Sequence, residues 1–343
     1  MNHYSARQVL SASLVGLSLF LLPILWMADA HEVPVNVDNF ARAETAAQFD
    51  RTLKMTGGIN TWYHFREPTP LDQQPVIRMN RDTLYSAAIV DISEGATLTL
   101  PDTGDRYLSV MVVNEDHYIN QVLHDPGIHE LTAQEFDTPY VQLSVRILVD
   151  ASDPADIQQA NALQDQLKIE ARSARPYTHP PYDEASYKTV YGALLVLGRG
   201  VPDARNTFGK KEDVNPVRHL LATAWGWGGL PDEEVQYLNV DPDLPVGAYS
   251  LTVKDVPVDA FWSISVYNEE GYFQENEYDA YSVNSVTAKP NTDGSYTVNL
   301  GGDPDSVNFL PISEGWNYVV RMYQPREAIL DGSWTFPGIE SVE

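Results

Sequence analysis

The spacing of apolar positions changes period several times along the chain. Phe40, Ala43, Ala47 and the stretch from Phe49 to Leu53 recur at helical spacing and stop at Gly57-Gly58, which predicts an amphipathic helix closed by a glycine cap. From residue 76 to 149 the period falls to two, and strands are expected at 76–80, 84–90, 96–100, 106–113 and 140–149. In the last of these Val141, Leu143, Val145, Ile147 and Val149 face one way and Tyr140, Gln142, Ser144 and Arg146 the other, so this strand has a single core face. Asp153-Pro154 then opens a helix through Ile157, Ala160, Leu163 or Gln164, and Leu167. Further helices are expected at 183–198 and, behind Asn215-Pro216, at 217–225. Strands return from Ala248, and Asp293-Gly294 predicts a tight hairpin between 285–289 and 295–300.

An internal repeat organises this pattern. GATLTLPDTGDRYLSVMVVNEDHY from Gly95 aligns with GAYSLTVKDVPVDAFWSISVYNEEGY from Gly247. Tyr107, Ser109 and Val113 fall opposite Phe261, Ser263 and Tyr267, and both copies turn at Asn-Glu-acid. Downstream, Val145-Arg146-Ile147 matches Val320-Arg321-Met322. Two matches in the same order predict two related β-domains, with strand 106–113 on 261–267 and Arg146 on Arg321.

Five segments carry a resemblance: RMNRDTLYSAAIVDIS (78–93), ILVDASDPADIQQANALQDQ (147–166), TAWGWGGLP (223–231), DVPVDAFWSISVYNEEGYF (255–273) and WNYVVRMYQPREAILDGSW (316–334). The chain resembles an uncharacterised bacterial family that joins a domain of unknown function 1254 to a domain of unknown function 1214. The resemblance implies two β-rich domains with helices around them, and assigns no catalytic residue.

The N-terminus sets the expected compartment. Met1 to Arg7 is short and basic, Val9 to Met27 is apolar and uncharged, and Ala28-Asp29-Ala30 offers small residues where a signal peptidase reads, so cleavage is expected before His31. An uncleaved anchor is the alternative, because the run approaches the roughly 20 residues that span a bilayer. Pro23 and the Ala-x-Ala site favour removal, with a periplasmic or secreted product and no stable membrane insertion afterwards. The 343 residues hold no cysteine, which excludes disulfides, thiolate metal sites and a thiol nucleophile. With 22 basic against 48 acidic residues the net charge is −26, and no basic stripe serves nucleic acid.

No Gly-x-Ser-x-Gly, His-Glu-x-x-His or Gly-x-Gly-x-x-Gly occurs, and Gly209-Lys210-Lys211 lacks the Ser or Thr of a phosphate loop. Asp241-x-Asp243 and Asp303-x-Asp305 lack the remaining ligands of a calcium loop and read as turns. No metal ligand set and no cofactor is specified. Three clusters remain. Glu115, Asp116, His117, His124, Asp125, His129 and Glu130 gather imidazoles and carboxylates in one expected loop, suited to acid and base work, with a solvated polar loop as the plain alternative. Arg78, Asn80, Arg81, Asp82 and Tyr85 can clamp an anion at a strand end, or serve as an internal ion network. Trp225 and Trp227, among Gly226, Gly228 and Gly229, can line a cleft, with His64 as a lesser candidate. Arg146 and Arg321 occupy equivalent places and read as architecture rather than as a site.

The sequence therefore predicts a mainly β protein with helical insertions, built as two related β-sandwich or jelly-roll-like domains. Residues 1–30 form a signal peptide, 31–150 an N-terminal β-rich domain with its leading helix, 151–240 a helical connector and 241–343 a C-terminal β-sandwich. The expected function is binding of a small polar or aromatic ligand in an inter-domain cleft, with Arg78, Asn80, Arg81, Tyr85, Trp225 and Trp227 as ligand contacts. The alternatives are a hydrolase or lyase using His117 with Asp82 or Glu115, metal-assisted or not, and a non-catalytic envelope interaction protein. An oligomer remains open.

Overall fold

The period-two segments form strands because alternate side chains point to opposite faces, and a strand with one apolar face must bury it against a second sheet. A computed structural model describes residues 32–74, 77–201 and 203–342, so the expected leader and cleavage site lie outside the described residues. The N-terminal half runs α1 (Phe40–Thr56), β1 (Tyr63–His64), β2 (Thr83–Asp91), β3 (Ala96–Leu100), β4 (Leu108–Asn114), β5 (Ile119–Leu123), β6 (Gly127–Leu131), α2 (Ala133–Phe136), β7 (Tyr140–Leu148), α3 (Pro154–Gln164) and β8 (Lys168–Ala171). Helices α4 (Glu184–Gly198) and α5 (Pro216–Trp225) follow. The C-terminal half runs β9 (Val235–Val240), β10 (Tyr249–Val253), β11 (Trp262–Tyr267), β12 (Ser282–Asn284), β13 (Tyr296–Leu300), β14 (Phe309–Leu310), β15 (Asn317–Tyr323), α6 (Glu327–Leu330) and β16 (Glu340–Ser341).

Each half is a sandwich with its own core. In the first, the sheet β1-β2-β7-β4-β5 packs on β6-β3-β8 through Leu84, Leu98, Val110, Leu131, Leu143 and Ile147. In the second, β12-β11-β15-β9 packs on β14-β13-β10-β16 through Leu251, Trp262, Ile264, Val298 and Val320. Among the described residues no sheet closes into a barrel.

The repeat holds to the level of single rungs. Ser109 of β4 pairs with Arg146 of β7, which pairs with Tyr85 of β2; Ser263 of β11 pairs with Arg321 of β15, which pairs with Tyr237 of β9. The turns after β4 and β11 are built alike. Asn114 N–H donates to Tyr118 O (3.0 Å) and Tyr118 N–H to Asn114 Oδ1 (3.0 Å), as Asn268 N–H donates to Tyr272 O (2.9 Å) and Tyr272 N–H to Asn268 Oδ1 (2.9 Å). The halves then meet at equivalent positions. Tyr107 and Leu148 of one pack on Phe261 and Tyr323 of the other, with ring centroids 5.4 Å apart for Tyr107–Phe261 and 4.2 Å for the stacked Phe261–Tyr323 pair.

The differences from the sequence reading have local causes. Of the strand expected at 76–80, residue 76 lies outside the described residues, and 77–78 form a turn in which Arg78 takes a left-handed φ of 56°. Asp293-Gly294 does turn, but 285–289 is not its partner strand: the Asn284 side chain accepts from Val286 and Thr287 N–H and ends β12, while β13 pairs with β10. The expected polar loop over 115–130 folds as β5 and β6, edge strands that are partly buried and largely exposed respectively, which dilutes the alternation. The expected helical connector 151–240 gives strand β8 to the first half and β9 to the second, and both are edge strands with exposed residues.

Asp91 pins the end of β2 to the chain leaving β8. It is fully buried and accepts from the Ser173 hydroxyl (2.6 Å), Arg175 N–H (2.8 Å) and Ser93 N–H (3.1 Å). Burial alone would raise its pKa, but the hydrogen bonds from Ser173, Ser93 and Arg175 outweigh it and hold the carboxyl well below the usual carboxylate range. Its contribution is therefore present above the unfolded value of about 4 and lost as pH falls through the depressed folded value. Asp91→Ala should cost about 3 kcal/mol at neutral pH, because buried donors lose a charged acceptor. In urea denaturation, the gap between variant and wild type should narrow as pH falls below about 4.

Candidate functional site

The two Tyr-Arg-Ser rungs face away from their own sandwich cores, since Arg146 alternates with Val145 and Ile147, and Arg321 with Val320 and Met322, all four of them core residues. They differ in what satisfies them. Arg321 is buried and saturated: Nη1 donates to Ser265 Oγ (2.9 Å), and Nη2 to Arg78 O (2.8 Å), Met79 O (3.2 Å) and Tyr267 OH (2.8 Å). Burial works against its charge, but Tyr267, Tyr323 and Asp82 outweigh it and raise its pKa.

Arg146 has the same place in the other half and few of these partners. Nη2 donates to Gly228 O (3.2 Å), the guanidinium lies 5.7 Å from the Tyr85 ring centroid, and Nη1 is buried with no acceptor. No carboxylate lies within ion-pair distance of it among the described residues. Beside it the buried Tyr107 and Ser109 hydroxyls lie against each other. The phenols of Tyr107, Tyr237 and Tyr323 lie around it, and burial pushes those of Tyr107 and Tyr323 above the ordinary tyrosine range, so at neutral pH these two offer no countercharge. In a chain of net charge −26, this is a cation without an anion. It is not sealed: Arg146 and Tyr85 are half-buried, and Tyr237 across the interface is 37% exposed. Two clefts also run between the halves. One of about 400 Å³ is lined by Asp105, Arg106, Asp150, Asp156 and Asn284, with Arg106 already paired to Asp156. The other, of about 290 Å³, is floored by Tyr107, Leu148 and Phe261.

The residues expected to form one site fall into separate groups. Arg78, Asn80, Arg81 and Asp82 lie along the chain that covers the Arg321 face. The Arg78 guanidinium reaches Asp241 (3.2 Å), Asn80 Nδ2 donates to Tyr323 OH (2.9 Å), Arg81 donates to Thr69 O and lies over the Tyr281 ring, and Asp82 Oδ1 accepts from Ser282 Oγ (3.1 Å). All four thus have hydrogen-bond partners within the chain, while Arg78 Nε and Asp82 Oδ2 are buried without one. Tyr85 alone of that group stands at Arg146. Glu115 is paired with Arg42 (3.3 Å), and its carboxyl is raised by burial, which outweighs Arg42. Trp225 is 40% exposed and packs edge-on to Phe208, away from the arginine. His64 binds the Ser86 hydroxyl (2.8 Å). His124 pairs with Glu234 (2.8 Å), and His129 bonds only Asp125 O (2.8 Å), so the imidazoles do not converge. Among the described residues no group of three His, Asp or Glu is placed to hold a metal ion.

His117 is fully buried, and its backbone is left-handed (φ 67°) where the equivalent turn of the second half has Gly271 (φ 88°). A side chain there costs about 1–2 kcal/mol that glycine avoids. Its Nε2 accepts from Gly228 N–H (3.0 Å), which leaves the proton on Nδ1, facing Thr223 Oγ1 (2.8 Å). Burial and the neighbouring His219 hold its pKa well below the ordinary value, so it is a neutral imidazole with both nitrogens engaged rather than an open acid or base. Trp227 stacks on it at 5.3 Å and donates to Thr45 Oγ1 (3.1 Å). Arg146, Ser109 and Tyr237 were missed as site residues. The repeat pointed to the first two, while Tyr237 lies on a strand that the pattern did not reveal.

Fold and site together define a tandem of two related β-sandwiches whose paired outer faces enclose one satisfied and one unsatisfied arginine. Residues 59–127 match the family described as protein of unknown function DUF1254, and residues 232–327 match protein of unknown function DUF1214; the chain carries both domains, one in each half. No curated protein matches the chain. The fold is similar to that of the VPA0106 protein from Vibrio parahaemolyticus, at 20% identity and a TM-score of 0.71 over 90% of this chain and 98% of that one. An uncharacterised protein from Burkholderia cenocepacia is similar at 16% identity and a TM-score of 0.50, over 89% of this chain and 99% of that one.

Proposed function

We propose that the protein binds a small monoanionic ligand, a carboxylate with a flat apolar body, between its two sandwiches, with Arg146 as the anchor. The observation that carries this reading is the contrast within one molecule: of two equivalent arginines, one has four hydrogen bonds and the other has one, plus a buried nitrogen without an acceptor. A half-buried guanidinium with one nitrogen shielded from solvent and unpaired carries a cost, and a ligand carboxylate is the group that relieves it. Tyr85, Tyr107 and Tyr237 supply flat faces and hydroxyls beside it. In this reading the protein works outside the cytoplasm, as the leader expected at residues 1–30 implies.

Calorimetry with benzoate, acetate, phosphate and sulfate tests the proposal. Benzoate should bind best, and Arg146→Met should weaken it about 100-fold or more, since removing one partner of a buried charge pair costs about 2–5 kcal/mol. Arg146→Lys should recover part of the loss, because a point charge replaces a planar fork. A wild type that binds none of the four, or an Arg146→Met protein that binds benzoate unchanged, would reject it.

A further inference from the structure

We infer that His117 is a positioning residue for Arg146, acting through the backbone of Gly228; this rests on the reading of Arg146 as the anion anchor. Gly228 is held at both ends of its residue. Its N–H donates to His117 Nε2 (3.0 Å), and its carbonyl accepts from Arg146 Nη2 (3.2 Å). Behind the imidazole, Nδ1–H meets Thr223 Oγ1 (2.8 Å), whose own proton goes to His219 O (2.8 Å). A continuous relay of hydrogen bonds thus runs from helix α5 through His117 and Gly228 to the guanidinium. The carbonyl it orients is the hydrogen-bond acceptor that Arg146 has among the described residues.

The second half supplies the control. Its matching turn has the same backbone hydrogen bonds with Gly271 in the place of His117, so the turn itself does not need an imidazole. In that half the turn reaches Arg321 through backbone alone: Gly271 O accepts from Arg78 N–H (2.7 Å), and Arg78 O, with Met79 O, Tyr267 and Ser265, accepts from Arg321. The strained histidine stands in the half whose arginine is short of partners. A purely packing role would be met by an apolar ring. What His117 adds is an acceptor aimed at Gly228 N–H, with its tautomer fixed by Thr223. The protonated nitrogen faces the hydroxyl and the bare one faces the amide, so the relay has one polarity. Gly228 itself is left-handed (φ 79°), which a residue with a side chain rarely adopts, so the segment is shaped for this connection.

His117→Gly, the residue of the second turn, is the direct test. The amide of Gly228 should exchange about 100-fold faster in hydrogen exchange, while that of Gly271 keeps its wild-type rate, because only the first loses its acceptor. Benzoate affinity should fall about tenfold, the scale of losing a supporting contact behind a ligand-binding group. His117→Gln, whose side-chain oxygen can take the Gly228 proton, should recover both to within about threefold, which a role in packing alone does not predict. Should the glycine variant fail to fold, Thr223→Val removes the group that fixes the tautomer and should shift both readouts in the same direction. Unchanged Gly228 exchange together with unchanged benzoate affinity would overturn the inference and leave the Arg146 site standing. If the wild type binds no benzoate, the binding proposal falls and the exchange experiment alone decides the relay.

Discussion

Replacing Arg321 with methionine should destabilise the protein by about 3–5 kcal/mol, whereas Arg146→Met should change stability by no more than about 1 kcal/mol in either direction. The two substitutions are chemically identical, and their positions are equivalent in fold and register. Arg321→Met strands two backbone carbonyls, a tyrosine hydroxyl and a serine hydroxyl in a buried place. Arg146→Met strands only the Gly228 carbonyl and removes an uncompensated charge, so loss and relief nearly cancel. Urea midpoints at unchanged slope give the comparison directly. Equal destabilisation by both would show that Arg146 is structural, and the ligand proposal would lose its foundation.

Phe261→Ala should cost about 3–5 kcal/mol, because it removes a buried ring from the contact between the halves as well as from its own surroundings. Phe261 is 1% exposed, stacks on Tyr323 at 4.2 Å and meets Tyr107 edge-on at 5.4 Å. The halves have separate cores, so the loss falls on the coupling between them. Thermal unfolding should therefore spread into two transitions, and the double substitution with Tyr107→Ala should be non-additive by about 0.5–3 kcal/mol. A single transition at the wild-type midpoint would mean that the interface is held elsewhere.

The strands that the pattern revealed, such as β2, β4 and β7, are central to their sheet and buried over nearly their whole length, so apolar residues recur along them. Edge strands β5, β6, β8 and β9 were hidden because exposed edges accept polar residues on both faces. The repeat carried further than any single element, since it set Arg146 on Arg321 and Ser109 on Ser263 before a rung was seen. The site was less legible for a physical reason. Whether an arginine is architecture or anchor depends on how many acceptors come near it, and those come from distant backbone: Arg78 and Met79 on one guanidinium, Gly228 on the other. His117 is an acid or base candidate by residue type, and only the fold reveals that it is fully buried with both ring nitrogens hydrogen-bonded. The Gly-Trp segment was singled out for its aromatic rings, and its contribution to Arg146 is a peptide carbonyl.

The covalent joining of two equivalent sandwiches has a consequence for how such a protein can change. In a homodimer of one sandwich, every substitution appears twice, so a gain on one side of the two-fold axis is copied where it does harm on the other. Here the copies vary independently: His117 stands opposite Gly271, and an arginine short of partners stands opposite one that is locked. One copy can carry the cost of an unfinished interaction while the other keeps the pair rigid. The scaffold is two-fold, but the chemistry on it is single, so the proposed ligand is expected to bind once per chain.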